Sequence, residues 1–163
     1  MRHIISTLVV NQPGVMIRVA GLFSRRGYNI ESIAVGKSED PALSRIIIVV
    51  DADDDQVVEQ IEKQLYKLID VIKVNDLPPD ESIERELALI KVNAGSQSRS
   101  EVLHIVNIFR AKIVDVGSRA VVVEITGGSD KVEALIALLK PYGIREIVRT
   151  GQIAMLRSNP GLR

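Results

Sequence analysis

The sequence predicts an α+β chain of two tandem βαββαβ modules. Three observations carry this. Aliphatic runs alternate with helical stripes in the same order twice, a double-proline break separates the two series, and part of one series matches the other at a fixed offset. The 163 residues leave room for two modules of about 80 each. Hydrophobic residues are 46% of the chain and aromatics only 3%, so the cores must be built from Val, Ile and Leu.

Residues 3–10 are rich in β-branched side chains and stop at Pro13-Gly14, a strand followed by a turn. Val15, Val19, Leu22 and Phe23 then recur with the spacing of one helical face, and Gly27 ends that helix. Residues 30–35 form a second strand and Ser38-Glu39-Asp40-Pro41 a turn. The run Ile46-Ile47-Ile48-Val49-Val50 is apolar on both sides, as an inner strand should be. Val57, Ile61, Leu65 and Leu68 mark the next helix, and residues 69–74 the next strand.

Leu77-Pro78-Pro79-Asp80-Glu81-Ser82 reads as a short, stiff linker. The order then repeats. Residues 83–92 form a strand, Val102, Ile105, Val106 and Phe109 a helical stripe, and residues 113–116 and 121–125 two strands. Val132, Leu135, Ile136 and Leu139 give a helix, and residues 144–148 the last clear strand. Without a gap, Ile46, Asp55, Val57, Ile61 and Ile69 stand 75 positions before Val121, Asp130, Val132, Ile136 and Ile144. Such self-similarity implies two copies of one unit. The expected boundaries are residues 1–76, a linker at 77–82, and residues 83–163, with the tail from Arg157 frayed.

A βαββαβ unit is the ferredoxin-like arrangement, whose usual strand order, 4-1-3-2, leaves strand 2 on an edge. The expected edge strand, Ile30-Glu31-Ser32-Ile33-Ala34-Val35, has no proline, and no lysine before Lys37. An undefended edge invites another chain, so a homodimer is expected through it.

Composition narrows the chemistry. The 21 basic and 21 acidic side chains cancel, which disfavours non-specific nucleic-acid binding. There is no cysteine, hence no thiol chemistry. No apolar run reaches the roughly 20 residues of a membrane helix, and the N-terminal stretch does not read as a signal peptide, so a cytoplasmic location is expected. Asp51, Asp53, Asp55 and Glu62 imitate a calcium loop, but Gln56 stands where the sharp turn needs glycine; an Asp cap on the following helix is the expected role. His3 and His104 lack any partner motif, and Gly127-Gly128-Ser129-Asp130 lacks the Lys-Ser/Thr of a phosphate loop. No catalytic residue and no metal ligand set is expected.

The stretch NQPGVMIRVAGLFSRRGYNIES, residues 11–32, stands apart. Its helix start offers unpaired N–H donors and the positive end of the dipole, which suit a carboxylate. Asn11 and Asn29 stand at either end of the helix, and an Asn amide can meet both an ammonium and a carbonyl. The spacing fits two readings: an amino-acid site, or Asn11 in a turn with Asn29 as a left-handed residue at the helix end.

NQPGVMIRVAGLFSRRGYNIESIAVG, with Leu43-Ser44-Arg45-Ile46 and EQIEKQLYKLIDVIKV, resembles the regulatory (small) subunit family of acetolactate synthase, also called acetohydroxyacid synthase. The resemblance spans essentially the whole chain and implies that the first module is an ACT domain, an effector-binding βαββαβ unit. It implies a non-catalytic regulatory chain without a cofactor of its own. Its partner would be a catalytic (large) subunit using thiamine diphosphate, a divalent metal and FAD, which this chain would activate and render sensitive to feedback inhibition by valine. The effector residues carried over by position are Asn11, Gly14, Val15, Met16, Asn29 and Ile30, shared across a homodimer interface. The second module has Asn93-Ala94-Gly95-Ser96-Gln97-Ser98 where the first has its Pro-Gly turn, so no second effector site is expected there. The alternative is a stand-alone tandem ACT sensor acting on another target, such as a transcriptional regulator; a small enzyme on the same fold is the least supported.

Overall fold

The computed structural model describes residues 1–159. They form two compact units, one comprising Met1–Ile83 with the segment from Gln152 onward, the other Glu84–Gly151.

In the first unit the order is β1 (Arg2–Val10), α1 (Val15–Arg25), β2 (Ile30–Lys37), β3 (Leu43–Asp51), α2 (Asp55–Tyr66) and β4 (Val71–Asp76). The antiparallel sheet runs β2-β3-β1-β4, the order expected of a ferredoxin-like unit, with β2 and β4 on its edges. Alternation along the strands divides the apolar residues between two faces. Ile5, Val9, Ile46, Ile48 and Val50 meet Val15, Val19, Leu22 and Phe23 of α1 and Val58, Ile61 and Leu65 of α2. Ile4, Ile47 and Val49 face the other way, into a small cluster with Leu77 and Ala154. The run 46–50 is apolar throughout because both of its faces are covered.

Ala154 belongs to a strand the sequence pattern did not reveal, β9 (Ile153–Leu156), which pairs with β5 (Ser82–Asn93). It is held by Gln152 N–H donating to Ser32 Oγ (2.9 Å) and Arg157 N–H donating to the Glu81 carbonyl (2.8 Å). Arg157 is therefore anchored rather than frayed, and residues 160–163 of the expected tail lie outside the described residues. The double-proline stretch is packed as well: Leu77 N–H donates to the Ile4 carbonyl, and Ser82 Oγ to that of Pro78.

The second unit repeats the plan. α3 (Arg99–Ile108), β6 (Lys112–Val116), β7 (Ala120–Gly127), α4 (Ser129–Leu139) and β8 (Ile144–Arg149) follow β5, with a 3-10 turn at Lys140–Tyr142 and sheet order β6-β7-β5-β8. Its core joins Ala88, Ile90, Val92, Val121, Val123 and Ile125 to Val102, Val106, Val132, Leu135 and Leu139.

The structure corrects the repeat's register. Ile46 and Val121 are equivalent strand positions 75 apart, but buried Val58, Ile61 and Leu65 correspond to Val132, Leu135 and Leu139, which are 74 apart. One residue is lost in the loop between strand and helix, so Asp55 and Asp130 are not counterparts. Likewise β4 begins at Val71, leaving Ile69 in the preceding turn, 94% exposed, rather than in a strand equivalent to Ile144.

Candidate effector site at the start of the first helix

Between β1 and α1 the chain turns through Asn11-Gln12-Pro13-Gly14. Gly14 is the N-cap of α1 at φ 85° and ψ −11°, a left-handed conformation that glycine adopts without strain. No side chain caps this helix; the Val15 N–H donates to the Gln12 carbonyl at a long 3.5 Å, and the amides that follow in the first turn have no side-chain acceptor. Val15 is buried beneath, Met16 half-buried, and Asn11 exposed at the rim.

Asn11 is fixed from two sides. Its N–H donates to the Ala42 carbonyl (2.8 Å) and its Nδ2 to the Pro41 carbonyl (3.3 Å), which binds the loop to the turn after β2. That turn is itself organised by Asp40, whose Oδ1 accepts the Ala42 N–H.

Two further residues belong to this corner and were not read from the sequence. Arg18 lies one turn into α1, and a Cβ built on Gly14 would stand 3.1 Å from its Nη1. The guanidinium thus lies beside the helix start while its Nε donates to Asp70 Oδ2 at 2.7 Å. Asp70 is only 8% exposed, and its carbonyl accepts the Val10 N–H. The i, i+4 spacing of Gly14 and Arg18 was the available sign; the Asp70 partner, 52 residues away, had none.

Asn29 and Ile30 are not part of the same corner. They follow the far end of α1, which is 11 residues and so about 16 Å long. The helix closes there with a Schellman motif: Gly27 N–H reaches the Ser24 carbonyl and Tyr28 N–H the Phe23 carbonyl. Gly27, at φ 70°, is the left-handed residue, and among the described residues Arg110 is the only non-glycine one with positive φ, so Asn29 has no such backbone role. The Phe23 and Tyr28 rings pack edge to face at 6.3 Å.

The second unit handles the equivalent corner differently. Ala94 N–H donates to the Arg119 carbonyl, the counterpart of the Asn11–Ala42 bond. At the first position of α3 stands Arg99, whose guanidinium donates to the carbonyls of Ala94 and Gly117. Neither helix start has a side-chain cap, but in the second unit a cation spans the loop.

The remaining candidates have structural roles. Asp54 caps α2 by accepting the Val57 N–H (3.0 Å), and Asp51 accepts the N-terminal ammonium. Glu62 approaches Asp76, and burial together with that charge raises its pKa; among the described residues no three acidic or imidazole groups cluster as a metal site. His3 Nε2 is 4.0 Å from Asp55 Oδ1, and His104 is exposed on α3. Gly128 is the N-cap of α4, so the Gly-Gly turn serves a helix start. No helix among the described residues is long and apolar enough to cross a membrane.

Comparison with known proteins places these features in a family. Residues 5–73 match the family described as "AHAS small subunit-like ACT domain", and residues 85–158 the one described as "Small subunit of acetolactate synthase". A probable acetolactate synthase small subunit from Archaeoglobus fulgidus is 54% identical over 159 residues, 98% of this chain and 99% of its own. The acetolactate synthase small subunit of Bacillus subtilis is 52% identical over 157 residues, 96% of this chain and 91% of its own. The crystal structure of the small subunit from Thermotoga maritima superposes with a TM-score of 0.90 at 51% identity, covering 98% of this chain and 99% of that one. In both of its ferredoxin-like units, the first of them an ACT domain, the chain belongs to the family of acetolactate synthase small subunits.

Proposed function

We propose that this chain is the regulatory subunit of an acetolactate synthase, activating a separate catalytic subunit and conferring feedback inhibition by valine. The effector site is formed by Asn11, Gly14, Val15 and Met16 of one protomer with Asn29 and Ile30 of a second copy. One geometric relation supports this reading. Asn11 is tied to Pro41 and Ala42, in the turn that follows the Lys37 end of β2. If two β2 edges pair antiparallel about a two-fold axis, the Ile30 end of one lies against the Lys37 end of the other. Asn29 and Ile30, remote from Asn11 in their own chain, would then arrive beside the partner's Asn11–Gly14 loop.

The edges of this sheet also differ in a way that favours β2. On β4, Tyr66 Oη accepts the Val74 N–H (3.0 Å) and donates to the Val74 carbonyl (3.2 Å), occupying backbone groups that another strand would need. In the proposed cleft the effector carboxylate meets the uncapped amides of α1, the Asn side chains take the ammonium, and Val15 and Met16 line the space for a branched side chain. Because the site spans two chains, effector binding and dimer geometry are linked. Arg99 gives a physical reason for a single site per chain, since it spans the corresponding loop of the second unit.

Calorimetric titration of the protein with valine, leucine and isoleucine tests this, together with assays of the catalytic subunit with and without valine. One amino acid bound per chain and valine inhibition are expected. Asn11→Ala and Asn29→Ala should each abolish inhibition while leaving activation largely intact. Inhibition retained in both variants would reject the site.

A further inference from the structure

We infer that an apolar knuckle at the β4 side of the first unit, formed by Ile17, Tyr66, Ile69 and Ile72 and flanked by Arg18, Lys67 and Lys73, is where the catalytic subunit docks. This rests on the regulatory reading above and adds the surface that reading lacks.

The knuckle is defined by exposure. Ile69 is 94% exposed, Ile17 78%, Tyr66 53% and Ile72 51%, a concentration of open aliphatic and aromatic surface that an isolated domain has no use for. Its parts are joined through sequence neighbours and two sets of hydrogen bonds. Tyr66 ends α2 and reaches forward to the Val74 backbone, so its hydroxyl lies on the outer edge of β4, two residues past Ile72. Ile69 occupies the turn between them, and the neighbouring Asp70 binds Arg18, next in sequence to Ile17.

Geometry and charge together select the occupant. Strand pairing is blocked here by the Tyr66 hydroxyl, so a partner must engage side chains rather than extend the sheet. The dimer proposed above uses β2, the opposite edge of the order β2-β3-β1-β4, which leaves this side free. Lys67 follows Tyr66 and Lys73 follows Ile72 in sequence, both exposed, and Asp70 is buried and committed to Arg18. The complementary surface is an apolar pocket with an acidic rim. Membership of a small-subunit family supplies the partner in need of such a contact, the large subunit.

The position also offers a route for regulation. Arg18 is at once beside Gly14, in the effector loop, and bound to Asp70, in the knuckle. Effector held at the helix start and catalytic subunit held at the knuckle would bias one salt bridge from its two ends.

The test measures association of the intact protein with the catalytic subunit by sedimentation at low and moderate salt. Wild type, Ile69→Asp and the double variant Lys67→Glu/Lys73→Glu are compared. All three residues are exposed, so thermal denaturation, self-association and valine binding should stay at wild-type values. The wild type should associate, Ile69→Asp should bind about tenfold or more weakly, and the charge-reversed variant should lose affinity chiefly at low salt. Wild-type affinity in Ile69→Asp, or dissociation of the homodimer by that substitution, would overturn the docking surface alone. Failure of the wild type to associate would overturn the regulatory reading and the surface with it.

Discussion

Arg18 Nε donates to Asp70 Oδ2 at 2.7 Å, and the two partners are unequally placed: the Arg18 side chain is 48% exposed, that of Asp70 only 11%. The bond ties the first turns of α1 to the turn before β4, so it fixes the loop that carries Gly14. The inequality predicts an asymmetry. Arg18→Ala strands a buried carboxylate without its cation and should cost about 2–3 kcal/mol. Asp70→Ala leaves a half-exposed guanidinium that water can solvate, and should cost only about 1 kcal/mol. Denaturant unfolding of both variants checks this. Equal losses would mean that the carboxylate finds another donor.

Arg110 predicts a gain rather than a loss. It occupies the left-handed position of the Schellman motif ending α3, at φ 53°, where Ala111 N–H reaches the Val106 carbonyl and Arg110 N–H that of Asn107. The first unit places Gly27 at the same point. A side chain in this conformation costs about 1–2 kcal/mol, part of which glycine returns to the unfolded chain as entropy. Arg110→Gly should therefore stabilise the protein by roughly 0.5–1 kcal/mol. A rise in melting temperature without loss of activation is the expected result.

These two sites show what a sequence can and cannot display. The strand and helix order was legible because burial follows period: Val15, Val19, Leu22 and Phe23 at helical spacing are all buried. The βαββαβ order in turn implied the strand order. β9 was not legible, since its four residues include one that is packed, Ala154, and three exposed ones, and its stability comes from bonds to Ser32 and Glu81 far away in sequence. The offset of 75 failed inside the helix for a related reason. Aliphatic residues match at many offsets, and only packing separates Val57, partly buried, from Val58, fully so. At the candidate effector corner the loop residues Asn11 and Gly14 could be read locally. Asp70 and Pro41 could not, because they meet that loop only through the folded sheet.

In the second unit the buried carboxylate of Glu86, 2% exposed, is held by Arg149, whose guanidinium also binds Glu133. The pair of acids raises the already high pKa of Arg149 further, so the cation is permanent. Arg149→Ala leaves the buried Glu86 carboxylate without its cation, and should destabilise by about 3–5 kcal/mol. Replacing both groups by apolar residues of similar size should restore much of that loss. A double variant no more stable than Arg149→Ala, measured in urea, would contradict the assignment.

Glu62 and Asp76 give the fold a dependence on pH whose sign is opposite to that of a salt bridge. For Glu62, burial is the main influence and the charge of Asp76 the next, and both raise its pKa above 4.5. For Asp76, burial raises the pKa above 3.8, with His3 and the Leu77 amide opposing. An acid whose folded pKa lies above its unfolded value holds its proton more tightly in the native state. Its contribution is fully favourable below the unfolded value and is lost as pH climbs through the folded one. The two carboxylates should therefore weaken the fold as pH rises from about 4 into the range above it. Glu62→Gln removes a charge from the pair without changing its shape. It should raise the melting temperature most at neutral pH, and that gain should shrink as pH falls through the carboxylate range. Melting curves across that interval decide the matter: a constant difference at every pH would show that the substitution acts through packing and not through charge.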